Sequence, residues 1–72
     1  MQKFEYLQLA CVRNYPERWF YYEGSTELGP QKNRISFLNL YGALGWELVS
    51  TNIELNNNHH QANILFYLKR LL

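Results

Sequence analysis

A helical pattern gives way to a strand pattern within Leu38-Asn39-Leu40-Tyr41-Gly42-Ala43-Leu44-Gly45-Trp46-Glu47-Leu48-Val49-Ser50. Apolar residues recur at helical spacing before this point, which predicts a helix over residues 31–44 with Pro30 at its opening. Gly45 is the stop signal, because glycine adopts the left-handed conformation that ends many helices. Residues 46–55 then predict a strand, and the change of apolar parity near Val49 or Ser50 predicts a bulge or a register shift in it.

Three further strands are predicted on either side of this junction. Residues 4–12 are apolar at both alternating sets of positions, which indicates a central strand covered on both faces. Residues 18–23 hold four consecutive rings that must alternate between the two faces of a second strand. Residues 62–70 form the last strand. Turns are predicted at 14–17 and 56–60, and a loop at 24–30.

The elements therefore follow the order β-β-α-β-β, and strands joined by short turns pair antiparallel. We expect an α+β fold, a four-stranded antiparallel sheet with one helix packed on a face. Residues 1–72 make a single domain on grounds of length.

Residues 38–50 also resemble a known family. They are similar to the hallmark of small bacterial and phage proteins catalogued as domain of unknown function 4177 (DUF4177), a helix ending in Leu-Asn-x-x-Gly-x-x-Gly-Trp-Glu-Leu-Val. Residues 4–6 and 66–70 match the family's first and last strands, whereas residues 14–31 do not match. The resemblance implies a β-rich fold around one helix and no known activity. Leu40 and Leu44 depart from it, since the family usually has polar residues there.

Composition excludes several classes of protein. The net charge of +1 argues against duplex DNA as a partner. No apolar run approaches the roughly 20 residues of a membrane span, and the N-terminal residues lack the apolar segment of a secretion signal. The single cysteine, Cys11, suits a reducing compartment as a small buried residue. We expect a cytoplasmic location, in a bacterium or, if the chain is phage-encoded, in its host.

The predicted helix has two apolar sides. Ile35, Leu38, Tyr41 and Gly42 gather on one side, and Phe37, Leu40 and Leu44 gather on the other. A helix that is apolar on both sides is normally buried on both sides, so the second trio predicts an oligomer interface between copies of the chain. One alternative is that the loop at 24–31 folds over this trio, with Leu28 as its cover. Another is that the three are scattered apolar side chains on the surface.

The strongest candidate for a binding site is the segment from Arg13 to Tyr22, which interleaves guanidinium groups with aromatic rings. Rings stack on planar groups, and arginine pairs with phosphate or carboxylate. The predicted ligand-binding residues are Arg13, Arg18, Trp19, Tyr21 and Tyr22. The alternative is that half of these rings are core and half are contacts between subunits.

Other conspicuous residues are interpreted structurally. Gly42 and Gly45 reverse the chain, Trp46 fills the core, and Glu47 pairs with Arg70 or Lys69. His59 and His60 are interpreted as loop histidines, because adjacent histidines rarely chelate one ion. No nucleophile with a base, no metal-ligand spacing and no cofactor motif is present in the sequence, so we expect neither an enzyme nor a cofactor.

The leading hypothesis is a non-catalytic, homo-oligomeric binding protein. It would capture a small nucleotide-like or other planar anionic ligand at a subunit interface, and the family's occurrence in phages suggests sequestration of a host signal by analogy. The first alternative is a protein-interaction module or inhibitor of a host protein that uses the Phe37, Leu40 and Leu44 trio. The second is binding of single-stranded nucleic acid, which the near-neutral charge disfavours.

Overall fold

The computed structural model describes residues 1–14, 18–55 and 61–72. Its strands and single helix are β1 (Phe4–Asn14), β2 (Arg18–Glu23), β3 (Thr26–Leu28), α1 (Arg34–Gly42), β4 (Glu47–Leu55) and β5 (Ala62–Leu71). The strands form one sheet in the order β3-β2-β1-β5-β4, and every neighbouring pair is antiparallel. The two longest strands, β1 and β5, therefore lie at its centre.

The prediction of a four-stranded sheet with the order β-β-α-β-β is wrong, because the described chain forms five strands in the order β-β-β-α-β-β. The additional strand, β3, lies within the segment predicted to be a loop. Glu23 pairs with Thr26 across a two-residue turn, in which Gly24 has a φ of 59°. A turn of this length joins strands tightly, so the chain folds back on β2.

The helix is shorter than predicted. It begins after Asn33, whose side-chain oxygen accepts a hydrogen bond from the backbone N–H of Ser36 at 2.8 Å. This is an N-cap, which supplies a partner to a backbone donor that the first turn leaves unpaired. The helix ends at Gly42, and Ala43 caps it. Pro30 therefore lies outside the helix, in the connection from β3.

Alternation along the strands divides the sheet into two faces. The covered face is the one on which α1 packs, and its core side chains surround Phe37 and Tyr41 of the helix. They come from three adjacent strands and comprise Leu9, Cys11, Tyr21, Ile64, Phe66 and Leu68. Phe37 meets the ring of Tyr21 edge-on at 5.0 Å and that of Tyr41 at 5.7 Å. The rings of the helix therefore fix its position over β2, β1 and β5.

The other side of the sheet is the open face. No helix or strand among the described residues lies over it, so the prediction that β1 is covered on both faces is not met. Its apolar side chains alternate with those of the core, and they comprise Phe4, Tyr6, Ala10, Val12, Phe20, Tyr22, Leu65, Tyr67 and Leu71.

The junction between α1 and β4 is organised by Arg70. Its guanidinium group donates to the Leu44 carbonyl at 3.0 Å and to Glu5 Oε2 at 3.1 and 3.2 Å, and it stacks on the Trp46 ring at 4.3 Å. Gly45 has a φ of 93°, a conformation that side chains rarely adopt. Arg70 thus joins the end of the helix to β1 and β5.

The structure tests two predictions about this end of the sheet. Arg70 pairs with Glu5 rather than with Glu47, whereas Glu47 lies opposite Lys69 in register, which is the other partner predicted for it. The register shift predicted near Val49 and Ser50 is confirmed between Leu48 and Ser50.

Candidate functional site

The two faces of the sheet separate the five residues that were predicted to bind ligand. Arg13 and Trp19 are cross-strand partners and follow the alternation of Cys11 and Tyr21, so they lie on the covered face. Arg18 and Tyr22 point to the open face. The structure therefore does not bring the five side chains into one site, because neighbouring positions on a strand face opposite ways.

Trp19 is the centre of the group of side chains that the structure does bring together. The guanidinium carbon of Arg13 lies 6.0 Å from the centre of the indole ring, and that of Arg34 lies 5.3 Å from it. Both distances are within the range of cation–π attraction. The indole stays 36% exposed, so two cations are held beside a ring that solvent reaches.

Two shallow clefts meet at Trp19. The first encloses about 240 Å³ and is lined by Trp19, Tyr21, Lys32, Asn33 and Arg34. The second encloses about 200 Å³ and is lined by the residues of β2 and β3 and the turn beyond them, namely Trp19, Phe20, Tyr21, Glu27, Leu28, Gly29 and Pro30. Trp19 and Tyr21 belong to both. One cleft is basic and the other is largely apolar, so together they suit a ligand with one charged part and one flat apolar part.

Lys32 and Arg34 were missed by the sequence interpretation. They flank the N-cap Asn33, and the first turn of α1 contains no acidic residue. The positive end of the helix dipole therefore adds to their charges at this corner. The available signal was Lys32-Asn33-Arg34 before an apolar run, a basic segment with a capping residue at its centre.

The charge of Arg34 also reaches the core beneath the clefts. Burial raises the pKa of Cys11 to about 11, and the positive charge of Arg34 opposes that rise. Burial likewise raises the pKa of Tyr21, which lines the basic cleft. Both groups are therefore neutral near pH 7, and neither offsets the positive charge at the corner.

The predicted oligomer trio does not form one surface. Phe37 is fully buried in the core of a single chain, whereas Leu40 and Leu44 are 54% and 62% exposed. The helix turns Phe37 and Tyr41 to the sheet together, since positions i and i+4 share a helix side. Leu28, the alternative cover, packs against the core from β3 instead.

Metal-ligating groups, membrane-spanning helices and the predicted turns can be considered only over the described residues. No group of three potential metal-ligating side chains occurs within 1–14, 18–55 and 61–72, and His59 and His60 fall outside these ranges. Over the same residues, no helix has the length and hydrophobicity that crossing a bilayer requires. The predicted turns at 14–17 and 56–60 lie almost wholly outside the described ranges.

Comparison with protein-family models, curated proteins and solved structures finds no match to this chain. The resemblance to DUF4177 therefore stays a prediction from the sequence.

Proposed function

We propose that the protein is a non-catalytic binding protein for a small, planar, anionic ligand of the nucleotide type. The observation that carries this proposal is the meeting of a basic and an apolar cleft at one exposed indole. Trp19 and the turn at Gly29 and Pro30 would hold the flat part of the ligand. Arg34, Lys32 and Arg13 would hold its negative charge.

The chemistry of these side chains supports the assignment. Stacking of a base on an aromatic ring contributes about 1–3 kcal/mol, and a hydrogen bond to a charged group contributes about 1.5–3 kcal/mol. Guanidinium groups donate in a fork that matches phosphate oxygens. Cation–π contacts with Trp19 hold both arginines near the cleft before a ligand arrives, which lowers the entropy lost on binding.

The size of the clefts argues for a ligand that spans both. Small-molecule sites usually enclose about 300–1,000 Å³, and each cleft alone is smaller than that, at about 240 and 200 Å³. A free anion would fill only the basic cleft and a neutral ring only the apolar one. A ligand that combines the two parts therefore gains contacts that neither part makes alone.

The test is thermal unfolding with added mono-, di- and cyclic nucleotides, with a nucleoside and inorganic pyrophosphate as the two half-ligands. A ligand at a hundred times its Kd stabilises the folded state by about 2.7 kcal/mol. For a domain of this size that corresponds to a rise in Tm of roughly 11–22 °C. We expect this rise with at least one nucleotide and a smaller one with either half-ligand.

Two matched variants locate the binding. Arg34→Gln should abolish most of the ligand-induced rise in Tm, whereas Arg18→Gln removes the same charge on the open face and should leave the rise unchanged. No stabilisation by any nucleotide at millimolar concentration would refute the proposal. An equal loss of the ligand-induced rise in Tm in both variants would show that the stabilisation depends on the net charge of the protein and that the ligand does not bind at Trp19.

A further inference from the structure

The open face is too large and too apolar to be an ordinary surface of a chain of this size. Tyr6 is 72% exposed, Leu71 54% and Tyr67 37%, and they adjoin half-buried Phe4, Val12, Phe20, Tyr22 and Leu65 on the same side of the sheet. Soluble monomers rarely expose a contiguous apolar patch of more than a few hundred Å². A surface of this kind normally packs against something.

Its area reaches the lower end of what a stable pair of subunits requires. Strands rise about 3.3 Å per residue and lie about 4.8 Å apart, so the five strands, of 11, 6, 3, 9 and 10 residues, together present a face of roughly 600 Å². Specific, stable protein interfaces bury upwards of about 600 Å² on each partner.

The charges on this face favour a second copy over a nucleic acid. Arg18 and Lys69 are accompanied by Glu27, Glu47 and Glu54, so the face has no net positive charge to attract phosphates. The charges are also placed asymmetrically. Arg18 lies on β2 and Glu54 on β4, within about two residues of the same level along the strands.

This placement is self-complementary about one axis. A twofold axis parallel to the strands and between β1 and β5 lays β1 over β5 of the second copy, and β2 over its β4. Arg18 then approaches the partner's Glu54, and the symmetry repeats the contact. The same operation lays Leu65 over the partner's Ala10, a large side chain against a small one, because Ala10 and Leu65 are cross-strand neighbours.

We propose that two copies of this chain pack open face to open face, as a sandwich of two five-stranded sheets. Sheets packed in this way lie about 10 Å apart with their strands within about 30° of each other. The inference is independent of the proposed function, since Trp19 lies on the covered face and stays accessible in the pair.

Sedimentation equilibrium tests the proposal on the intact chain. The wild type should have the mass of two chains of 8.7 kDa at micromolar concentration. Tyr6→Lys should raise the dimer Kd by about a hundredfold, because the twofold axis lays Tyr6 over the partner's Lys69, so the variant removes two ring contacts and sets like charges against each other twice. Tyr6 is largely exposed in one copy, so circular dichroism of the variant should still show the fold. Leu40→Glu, on the outer side of the helix, is the matched control and should leave the mass unchanged.

A charge swap tests the orientation. Arg18→Glu and Glu54→Arg should each weaken the dimer by about tenfold, since each sets like charges against each other twice. The double variant should recover the wild-type Kd. A monomeric wild type at high micromolar concentration would overturn the proposal. So would dissociation by Leu40→Glu with no effect of Tyr6→Lys, because the helix would then be the contact.

Discussion

Strands β4 and β5 are adjacent and almost equal in length, yet they differ completely in burial. β5 has four buried side chains, Ala62, Ile64, Phe66 and Leu68, whereas all nine residues of β4 are exposed. Both strands are rich in apolar residues, and they are hydrogen-bonded to each other along their length. The difference comes from the helix, which lies over β5 and its neighbours and stops short of β4. Burial in this fold is therefore decided by the position of one helix rather than by strand composition.

The largest expected effect that tests this comparison is the fall in the free energy of unfolding when an aromatic ring is removed from β5. Phe66→Ala should cost about 3–5 kcal/mol, because it removes a buried ring and leaves a cavity. That is comparable to the whole stability of a small domain. Ile53→Ala, one strand away and facing the same side, should cost less than about 1 kcal/mol, since Ile53 is 61% exposed.

Urea unfolding followed by circular dichroism measures both variants. Equal costs for Phe66→Ala and Ile53→Ala would break the comparison, because they would mean that β4 is buried in solution.

The next effect concerns the junction that attaches the first residues of β4 to the rest of the sheet. Gly45→Ala should cost about 1–2 kcal/mol, since a side chain at a φ of 93° is strained and its Cβ would lie 3.3 Å from Arg70 Cδ. Gly24→Ala is the matched control. Gly24 has a positive φ of 59° but nothing within 4 Å of an added Cβ, so only the backbone strain applies.

Hydrogen exchange sharpens this prediction. Gly45→Ala should speed exchange in β4 more than in β1, because the contact with Arg70 joins the start of β4 to the rest of the sheet. Uniform acceleration through all strands would contradict a local attachment.

The smallest effect appears only at high pH. Burial, and the hydrogen bond that its hydroxyl donates to Glu23 Oε1 at 2.8 Å, raise the pKa of Tyr41 to about 12. The ordinary value is about 10, so folding favours the neutral phenol. The stability that this supplies is complete below about pH 10 and is lost as the pH rises from there towards 12.

Tyr41→Phe should therefore unfold with a weaker dependence on pH between about 10 and 12 than the wild type. The remaining dependence belongs to Cys11 and Tyr21, whose pKa values are also raised by burial. Denaturant midpoints at pH 8 and pH 11 measure the difference. If the denaturant midpoint falls equally between pH 8 and pH 11 in the wild type and in Tyr41→Phe, Tyr41 is not a source of the pH dependence.

Local patterns were sufficient to predict most of the sheet. Strand β2 was predicted with its observed bounds, and the irregularity in β4 followed from the change of apolar parity. Strand β3 was missed because three residues are too few to show an alternation, although the two-residue Gly24-Ser25 turn was a signal for it. The start of the helix was placed too early because Pro30 was interpreted as its opening residue, whereas Asn33 caps it.

Long-range features could not be predicted from the same patterns. Apolar residues surround the helix, so the sequence does not say that Phe37 faces the sheet, and only the fit of its ring between Tyr21 and Tyr41 decides it. The pairing of Arg13 with Trp19 is a local consequence of the hairpin. Arg34 joins them from a distant segment, because the helix happens to begin beside β2.

The bare outer edge of β4 has one further consequence. About half of its backbone N–H and C=O groups bond to β5, and the others point outward with no strand of the described residues beside them, so the edge is a template for strands of other molecules. Glu47 begins this strand and Glu54 stands one residue before its end. Chains stacked in parallel, in-register fibrils would bring identical glutamates together, so these two carboxylates act as gatekeepers against amyloid-like growth from a segment that is otherwise well suited to it.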